Sequence, residues 1–253
     1  MTLPISIAEL AYAAVVVLLA AVVRGYSGFG FALLTVPSLT VMLAPARIIP
    51  VLFLLELAAG INLIPQIWRQ IHWRSIAWIF PGAVVATPIG VHLLATVPAA
   101  PMTLGIAAVV LVTVALLWHG FALKTVPGPA PSFATGMASG FLNGTAGIGG
   151  PPVILFYFSS PAAAAVGRAS LILYFFAIDL LALLLNAEAG LVNSETIVLS
   201  LALLPPLVLG IWLGNRRFLN ADPVVFRKMV LLLLVVLALV SGGKAALELW
   251  GQG

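Results

Sequence analysis

The sequence contains no cysteine and very little charge. The absence of cysteine in 253 residues excludes disulfides, thiolate metal ligands and cysteine nucleophiles. Charged side chains make up 7% of the residues, whereas soluble domains carry roughly 25%. Because 63% of the residues are hydrophobic, a soluble fold of this length would leave a large apolar surface in water. The composition therefore predicts a protein whose outer surface is covered by a lipid bilayer.

The basic residues are scattered along the chain. The formal net charge is +4, but the longest basic run is Arg216–Arg217, so we expect no nucleic-acid partner. The apolar N-terminal segment 1–20 has no basic residue ahead of its core, unlike a cleaved signal peptide. We therefore expect this segment to belong to the mature fold.

Six apolar segments have the length of a transmembrane helix, which needs about 20 residues to cross ~30 Å of hydrocarbon. These segments are 47–67, 75–93, 101–118, 165–186, 196–214 and 229–249. Two further apolar stretches, 5–43 and 131–160, are interrupted by glycine-rich segments at 25–30 and 144–152. The sequence thus predicts an all-α polytopic membrane protein with two broken helices.

The charged loops predict the orientation of these helices, because Lys and Arg favour the cytoplasmic side. Loops 69–74 and 215–228 are rich in basic residues and are placed inside. Loops 94–100 and 187–195 contain no basic residue and are placed outside. Four tryptophans lie near the ends of predicted spans, and we expect them to form an aromatic belt at one membrane interface. They are Trp68, Trp73, Trp118 and Trp212.

With the loops placed in this way, each of the two glycine-interrupted stretches must leave and return on the same face of the membrane. This requirement predicts helical hairpins over 5–43 and 131–160, with tips inside the membrane and both chain termini outside. Two full crossings in each stretch preserve the same sidedness and are the alternative. The second stretch is short for two crossings, whereas the first could hold them.

The halves 1–124 and 125–253 share a sequence pattern. Gly25, Gly28 and Gly30 recur 119 residues later as Gly144, Gly147 and Gly149, and Glu56 recurs 123 residues later as Asp179. Chance or close helix packing could also produce such glycine pairs in a chain with 23 glycines. The similar offsets and the opposite sidedness of matching loops favour two inverted repeats. Each repeat would contain a broken hairpin and three transmembrane helices.

Helix breaks inside a bilayer leave backbone N–H groups without partners, and helix N-termini attract anions. Glycine permits the non-helical backbone and lets a ligand approach it closely. We therefore predict that the two breaks bind a small anion near the midplane. The predicted substrate-binding residues are the glycines of the breaks and their polar or basic neighbours. They are Arg24, Gly25, Tyr26, Ser27, Gly28, Gly30, Asn143, Gly144, Thr145, Gly147, Gly149 and Gly150.

Four further charged residues are candidates for proton coupling or ion pairing. Glu56 and Asp179 lie within apolar segments, where carboxylates often carry protons or pair with arginine. Ion pairs with Arg47 or Arg168 are the alternative to a coupling proton. Burying Arg24 would cost about 2.5–3.5 kcal/mol, which favours a functional role over snorkelling or a structural salt bridge. The three histidines are not spaced to share a metal, and we expect neither a metal nor a cofactor.

The chain resembles the sulfite exporter TauE/SafE family, also called the toluene sulfonate uptake permease family. The resemblance covers about 10–250 and depends on residues 24–30, 140–152 and 206–214. It implies a bacterial inner-membrane protein that moves sulfite or organosulfonates such as sulfoacetate, usually outward. It leaves open the exact substrate, the coupling ion and the oligomeric state, a homo-oligomer included.

A secondary transporter with alternating access around the two breaks is the main functional prediction. An anion channel on the same scaffold is the first alternative. A membrane enzyme is less favoured, because it would need a cluster of catalytic acids, histidines or metal ligands near one interface. The sequence shows no such cluster, so we predict that the protein is not an enzyme.

Overall fold

The computed structural model describes residues 5–27, 30–61, 64–119, 127–158, 164–217 and 223–250. Within these ranges the regular structure is helical and contains no strand, which confirms the predicted all-α class. A short 3-10 turn, Trp68–Gln70, precedes α5. The α-helices are α1 Ile7–Ser27, α2 Phe31–Leu39, α3 Pro45–Gly60, α4 Ile64–Ile67, α5 Trp73–Thr96, α6 Ala99–Trp118, α7 Pro129–Ala146, α8 Gly150–Phe158, α9 Ala164–Glu188, α10 Ser194–Arg217 and α11 Pro223–Trp250.

Five helical segments in the described part of the chain are long and apolar enough to cross a membrane. They are Ile7–Gly25, Trp73–Thr96, Ala99–Leu116, Val166–Glu188 and Ser194–Gly214. The last four correspond to the predicted spans 75–93, 101–118, 165–186 and 196–214. The first lies inside the predicted hairpin stretch 5–43. The predicted multi-pass membrane class is confirmed.

The segment 47–67 forms two helices where a single one was expected. Helix α3 ends at Gly60 after 16 residues, a length of about 24 Å, and α4 begins at Ile64. Glycine is favoured at helix C-termini and proline in the first turn, which suits Gly60 and Pro65. The predicted span 229–249 lies within α11.

Each glycine-interrupted stretch consists of a long and a short helix. The long arms α1 and α7 have 21 and 18 residues, or about 27–32 Å, which is close to the ~30 Å hydrocarbon thickness. The short arms α2 and α8 have nine residues each and reach about 14 Å. Helix α1 is therefore long enough to cross the bilayer, α7 falls about 3 Å short of it, and the short arms reach only about half the distance.

The chain forms two compact units, each assembled from separate segments. Unit 1 comprises Met1–Val51, Val97–His119 and Asn193–Gly253. Inside it α1 lies along α10 and α2, while α6 lies along α11. An added Cβ at Gly210 of α10 would lie 2.5 Å from the Ala21 Cβ of α1. The backbones of α1 and α10 thus approach closely, as small residues permit between membrane helices.

Unit 2 comprises Leu52–Thr96 and Gly120–Val192. Here α5 lies along α7, and α9 contacts α5, α7 and α8. An added Cβ at Gly140 of α7 would lie 2.6 Å from the Ala83 Cα, and one at Gly144 would lie 2.9 Å from the Val91 nitrogen. Because both obstacles are backbone atoms of α5, no side chain can move aside to admit a larger residue.

Each unit combines helices from both predicted repeats, 1–124 and 125–253. The long arm of one half lies along a full-length helix of the other half, α1 with α10 and α7 with α5. In the predicted repeat, α1 corresponds to α7 and α10 corresponds to α5. The pair α1 and α10 therefore corresponds to the pair α7 and α5. Both the repeat and the inverted orientation of its two halves stay predictions.

Candidate functional site

In unit 2, the break between α7 and α8 is built around a left-handed glycine. Gly147 has a φ of 65° and ends α7, donating its N–H to the Asn143 carbonyl oxygen at 2.8 Å. Side-chain-bearing residues rarely adopt this conformation. The chain resumes its helical path at Gly150, the first residue of α8. Glycine at position 147 therefore allows α7 to stop and the chain to change direction.

Two buried side chains of α7 hold the backbone of this break. The Asn143 Oδ1 accepts a hydrogen bond from the Gly149 N–H at 3.2 Å, and the Ser139 hydroxyl donates to the Gly149 carbonyl oxygen. Ser139 and Asn143 are both buried. They replace the helical partners that the break removes, so the polar backbone groups of Gly149 are satisfied without water.

Helix α9 supplies the second half of this polar network. The Asn143 Nδ2 donates to Asp179 Oδ1 at 3.0 Å, and the Tyr174 hydroxyl donates to Ser139 Oγ at 2.8 Å. Tyr174 and Asp179 are both buried, where polar groups are costly unless they are hydrogen-bonded. A continuous set of hydrogen bonds thus joins α9 to the backbone just before α8.

The first turn of α8 offers few backbone donors to a ligand. The Gly149 N–H is engaged by Asn143, and Pro151 and Pro152 have no N–H. Gly150 and Val153 supply the other N–H groups of this turn. The predicted anion site at this break therefore has at most two backbone donors from the start of α8.

The other predicted site residues of unit 2 have structural partners. Gly144 faces α5, since an added Cβ there would approach the Val91 nitrogen. The Thr145 hydroxyl donates to the Phe141 carbonyl oxygen of its own helix at 2.8 Å. Both residues are buried near the end of α7, so Gly144 contributes close packing and Thr145 contributes a local hydrogen bond.

In unit 1, the break lies between α1 and α2. Arg24 and Gly25 are partly buried in the last turn of α1, and Gly30 precedes α2 with a φ of 92°. Gly28 and the side chains of Tyr26 and Ser27 lie outside the described residues. The Tyr12 hydroxyl of α1 donates to the Ser38 carbonyl oxygen of α2 at 2.9 Å and so joins the two arms.

The four predicted coupling or pairing residues lie in different surroundings. Glu56 is partly buried on α3, whereas Asp179 is buried on α9 in the network described above. Arg47 Nη2 lies 3.2 Å from Glu195 Oε2 in an exposed salt bridge. Arg168 is exposed on α9, about three turns before Asp179. The Arg168 and Asp179 side chains therefore lie about three helical turns apart along α9.

Sequence reasoning missed two members of the unit 2 network, Ser139 and Tyr174. One available signal was the spacing of Ser139 and Asn143, which puts both side chains on one face of α7. The contact between Ser139 and Tyr174 joins residues 35 positions apart and leaves no local sequence pattern. In the part of the chain that the structure describes, no group of three or more His, Asp or Glu residues could hold a metal ion.

Comparison with known proteins gives a family and one curated relative. A family profile described as "Sulfite exporter TauE/SafE" matches residues 13–241. The chain is also 28% identical over 199 residues to the "Probable sulfite/organosulfonate exporter TauE" of Cupriavidus necator, a match covering 75% of this chain and 77% of that protein. No solved structure matches the chain. The matched range 13–241 includes both helix breaks and every predicted site residue.

Proposed function

We propose, on the premise that this chain belongs to the sulfite exporter TauE/SafE family, that it exports sulfite or an organosulfonate as a secondary transporter. Members of this family are membrane transporters, and the Cupriavidus necator relative bears the name of a sulfite/organosulfonate exporter. Five helices in the described part of the chain have the length and hydropathy of membrane spans. We place the protein in the bacterial inner membrane with both termini outside.

The observation that carries the mechanism is the buried, hydrogen-bonded break between α7 and α8. Non-helical backbone at membrane depth is tolerated only where protein or a wet cavity surrounds it. Asn143 and Ser139 form hydrogen bonds with the backbone N–H and carbonyl oxygen of Gly149, and so satisfy its polar groups with protein partners. In the proposed mechanism both breaks lie near the middle of the bilayer, and the repeats expose the anion alternately to the two sides.

Arg24 is the proposed principal ligand of the anion. A guanidinium presents fixed N–H donors that match the oxygens of sulfite or a sulfonate. Arg24 is partly buried in the last turn of α1, and a basic residue retained within a membrane segment usually has a partner or a function. Gly25 and Gly30 of the same break would leave room for the anion beside the backbone.

Asp179 is the proposed coupling residue of unit 2. Its carboxylate accepts a hydrogen bond from Asn143, which also accepts one from the Gly149 N–H. Protonation of Asp179 would weaken its hold on Asn143 and loosen the start of α8. Glu56, the corresponding residue of the first repeat, is the second candidate for this role.

The direct test is transport by the purified protein in liposomes loaded with sulfite or sulfoacetate. Gly147→Ala should lower the initial rate strongly, because alanine is strained at a φ of 65°. Gly190→Ala is the matched control, since Gly190 also has a positive φ of 74° and follows the end of α9, outside both helix breaks. Equal rates for the two variants would remove the break from the mechanism.

The same assay separates a carrier from a channel. A carrier should give a saturating flux that responds to an imposed pH gradient, and Asp179→Asn should abolish that response if Asp179 carries the proton. Large single-channel currents in planar bilayers would instead identify an anion channel. A rate unchanged by Asp179→Asn at every pH gradient would exclude Asp179 as the coupling group.

A further inference from the structure

Away from the helix break, where α5 and α7 begin, unit 2 contains a cavity of about 270 Å³. Most of its accessible lining is apolar. Its polar and aromatic lining residues are His72, Arg74, Ser75, Trp78 and Ser132. Of these, Arg74 belongs to the first turn of α5, and Trp78 follows it by one helical turn. The guanidinium and the indole therefore share one side of α5 at the cavity.

The cavity wall is preorganised by hydrogen bonds that do not involve Arg74. The Ser75 hydroxyl lies 2.6 Å from the Tyr157 hydroxyl of α8 and 2.9 Å from His72 Nδ1. The backbone N–H of His72 donates to Ser170 Oγ of α9 at 2.9 Å. These hydrogen bonds join α5, α8, α9 and the residue that precedes α5, His72. The polar groups of the wall are therefore held in place before any ligand binds.

The charge at the cavity is positive. Arg74 is exposed, and none of the described residues that line the cavity is acidic. Among the described side chains, no carboxylate forms a salt bridge with Arg74. The lining thus offers the exposed Arg74 guanidinium to an oxygen-rich anion, and the partly buried His72 imidazole also lines the cavity. The buried hydroxyls of Ser75 and Ser132 already donate to the carbonyl oxygens of His72 and Gly128.

The surroundings of the cavity are those of a membrane interface. Trp78 is 46% exposed, and Trp68 and Trp73 are 53% and 47% exposed. The rings of Trp68 and Trp73 lie edge to face with centroids 4.8 Å apart. Exposed tryptophans concentrate where hydrocarbon meets headgroups. Trp78 would lie beside the apolar part of a lipid whose headgroup entered the cavity.

We propose that this cavity binds an oxyanion of phosphorus or sulfur through Arg74. The two possible sources are the phosphate of an anionic phospholipid and a free anion such as phosphate or sulfite. A basic pocket between membrane helices is a recognised kind of site for anionic lipid headgroups. The proposal does not depend on transport, since the cavity residues are distinct from those of both helix breaks.

Binding to the purified protein in a neutral detergent tests the proposal. Dioctanoyl phosphatidylglycerol is the lipid probe, with dioctanoyl phosphatidylcholine as its zwitterionic control. Inorganic phosphate and sulfite are the free-anion probes, at constant ionic strength with chloride. Dissociation constants come from native mass spectrometry for the lipids and from ligand-induced shifts of the melting temperature for the free anions.

Arg74→Gln should weaken binding about tenfold, the magnitude of one lost charge-assisted contact. Arg69→Gln is the matched control, because Arg69 is an exposed arginine of the neighbouring 3-10 turn that does not line the cavity. Its effect should be under about twofold. Arg74→Lys keeps the charge but lacks the planar guanidinium, so its dissociation constant should lie between those of the wild type and Arg74→Gln. This variant also serves as the test if Arg74→Gln is unstable.

Trp78→Ala distinguishes the two sources. Weaker phosphatidylglycerol binding with unchanged phosphate binding would identify a lipid headgroup site. Arg74-dependent binding of phosphate or sulfite that Trp78→Ala does not change, without lipid binding, would identify a free-anion site. Equal effects of the Arg69 and Arg74 substitutions, or no binding of either kind of probe, would overturn the proposal.

Discussion

The two helix breaks have the same plan but different surroundings. In each, a long helix is followed by a nine-residue helix. In unit 2, Ser139 and Asn143 hold the break through neutral hydrogen bonds. The 119-residue offset of the predicted repeat puts Ala20 and Arg24 at these two positions of α1. The hydroxyl and amide of one break are thus replaced by a methyl and a guanidinium in the other.

This difference assigns two tasks, holding the backbone of a break and binding the anion, to different breaks. The amide and the hydroxyl fix the backbone of the break between α7 and α8, whereas the guanidinium gives the break between α1 and α2 a positive charge. We therefore expect substitutions of the packing and hydrogen-bonding residues within α7, such as Gly140 and Asn143, to act mainly on stability. Substitutions at Arg24 should act mainly on anion affinity. Four substitutions test this division, in order of decreasing expected effect.

Gly140→Ala should have the largest effect on stability, about 3 kcal/mol. Its Cβ would lie 2.6 Å from the Ala83 Cα, so α5 and α7 would have to move apart, and overpacking of this kind typically costs 1–3 kcal/mol or more. Gly105→Ala is the control, because an added Cβ there has no neighbour within 4 Å. Denaturant or thermal unfolding in detergent measures both, and equal stabilities would contradict the close packing of α5 on α7.

Asn143→Ala should destabilise the protein by about 2 kcal/mol. The Gly149 N–H and the Asp179 carboxylate would each lose a hydrogen bond in a buried place, and an unsatisfied buried group costs about 1–3 kcal/mol. The same unfolding measurement applies. A wild-type stability for Asn143→Ala would show that the amide does not hold the break.

Arg24→Gln should raise the half-saturating concentration for sulfite transport about tenfold, equivalent to roughly 1.4 kcal/mol. The substitution removes the charge but keeps a side chain with hydrogen-bond donors. Transport kinetics in liposomes give the affinity, and unfolding in detergent gives the stability. A large loss of stability with unchanged affinity would reverse the proposed division between the two breaks.

Arg47→Gln should have the smallest effect, at most about 1 kcal/mol. Its salt bridge with Glu195 is exposed, with side-chain exposures of 44% and 53%, and exposed pairs contribute little because water screens them. Transport and stability close to those of the wild type are expected. A tenfold loss of transport would assign Arg47 a role in the anion path.

Hydropathy and glycine spacing were sufficient to predict the helical membrane class, four of the spans and both breaks. These features depend on local runs of residues, such as the glycines from 144 to 150. The same reasoning did not find the contact between Ser139 and Tyr174, because it joins two helices that only the folded chain brings together. Nor did it predict that α3 ends at Gly60, since hydropathy continues to Ile67.

The arrangement of the helices into units was also beyond sequence reasoning. The predicted repeats, 1–124 and 125–253, follow each other along the chain, and their glycine and charge patterns do not indicate which helices pack together. In the structure the long arm α7 lies along α5 of the other half, and the small residues Gly82 and Gly140 permit the contact. Such an exchange depends on the shapes of helix surfaces, and the order of segments along the chain does not reveal it.

The paired prolines at the start of α8 have a consequence for turnover. Because Pro151 and Pro152 lack N–H groups, a sulfonate at this helix end would find few backbone donors to take the place of its water. Its binding there would be weak and its dwell time short. A fully donating helix end would hold the anion more tightly and release it more slowly, which is a disadvantage for a protein that must let its cargo go.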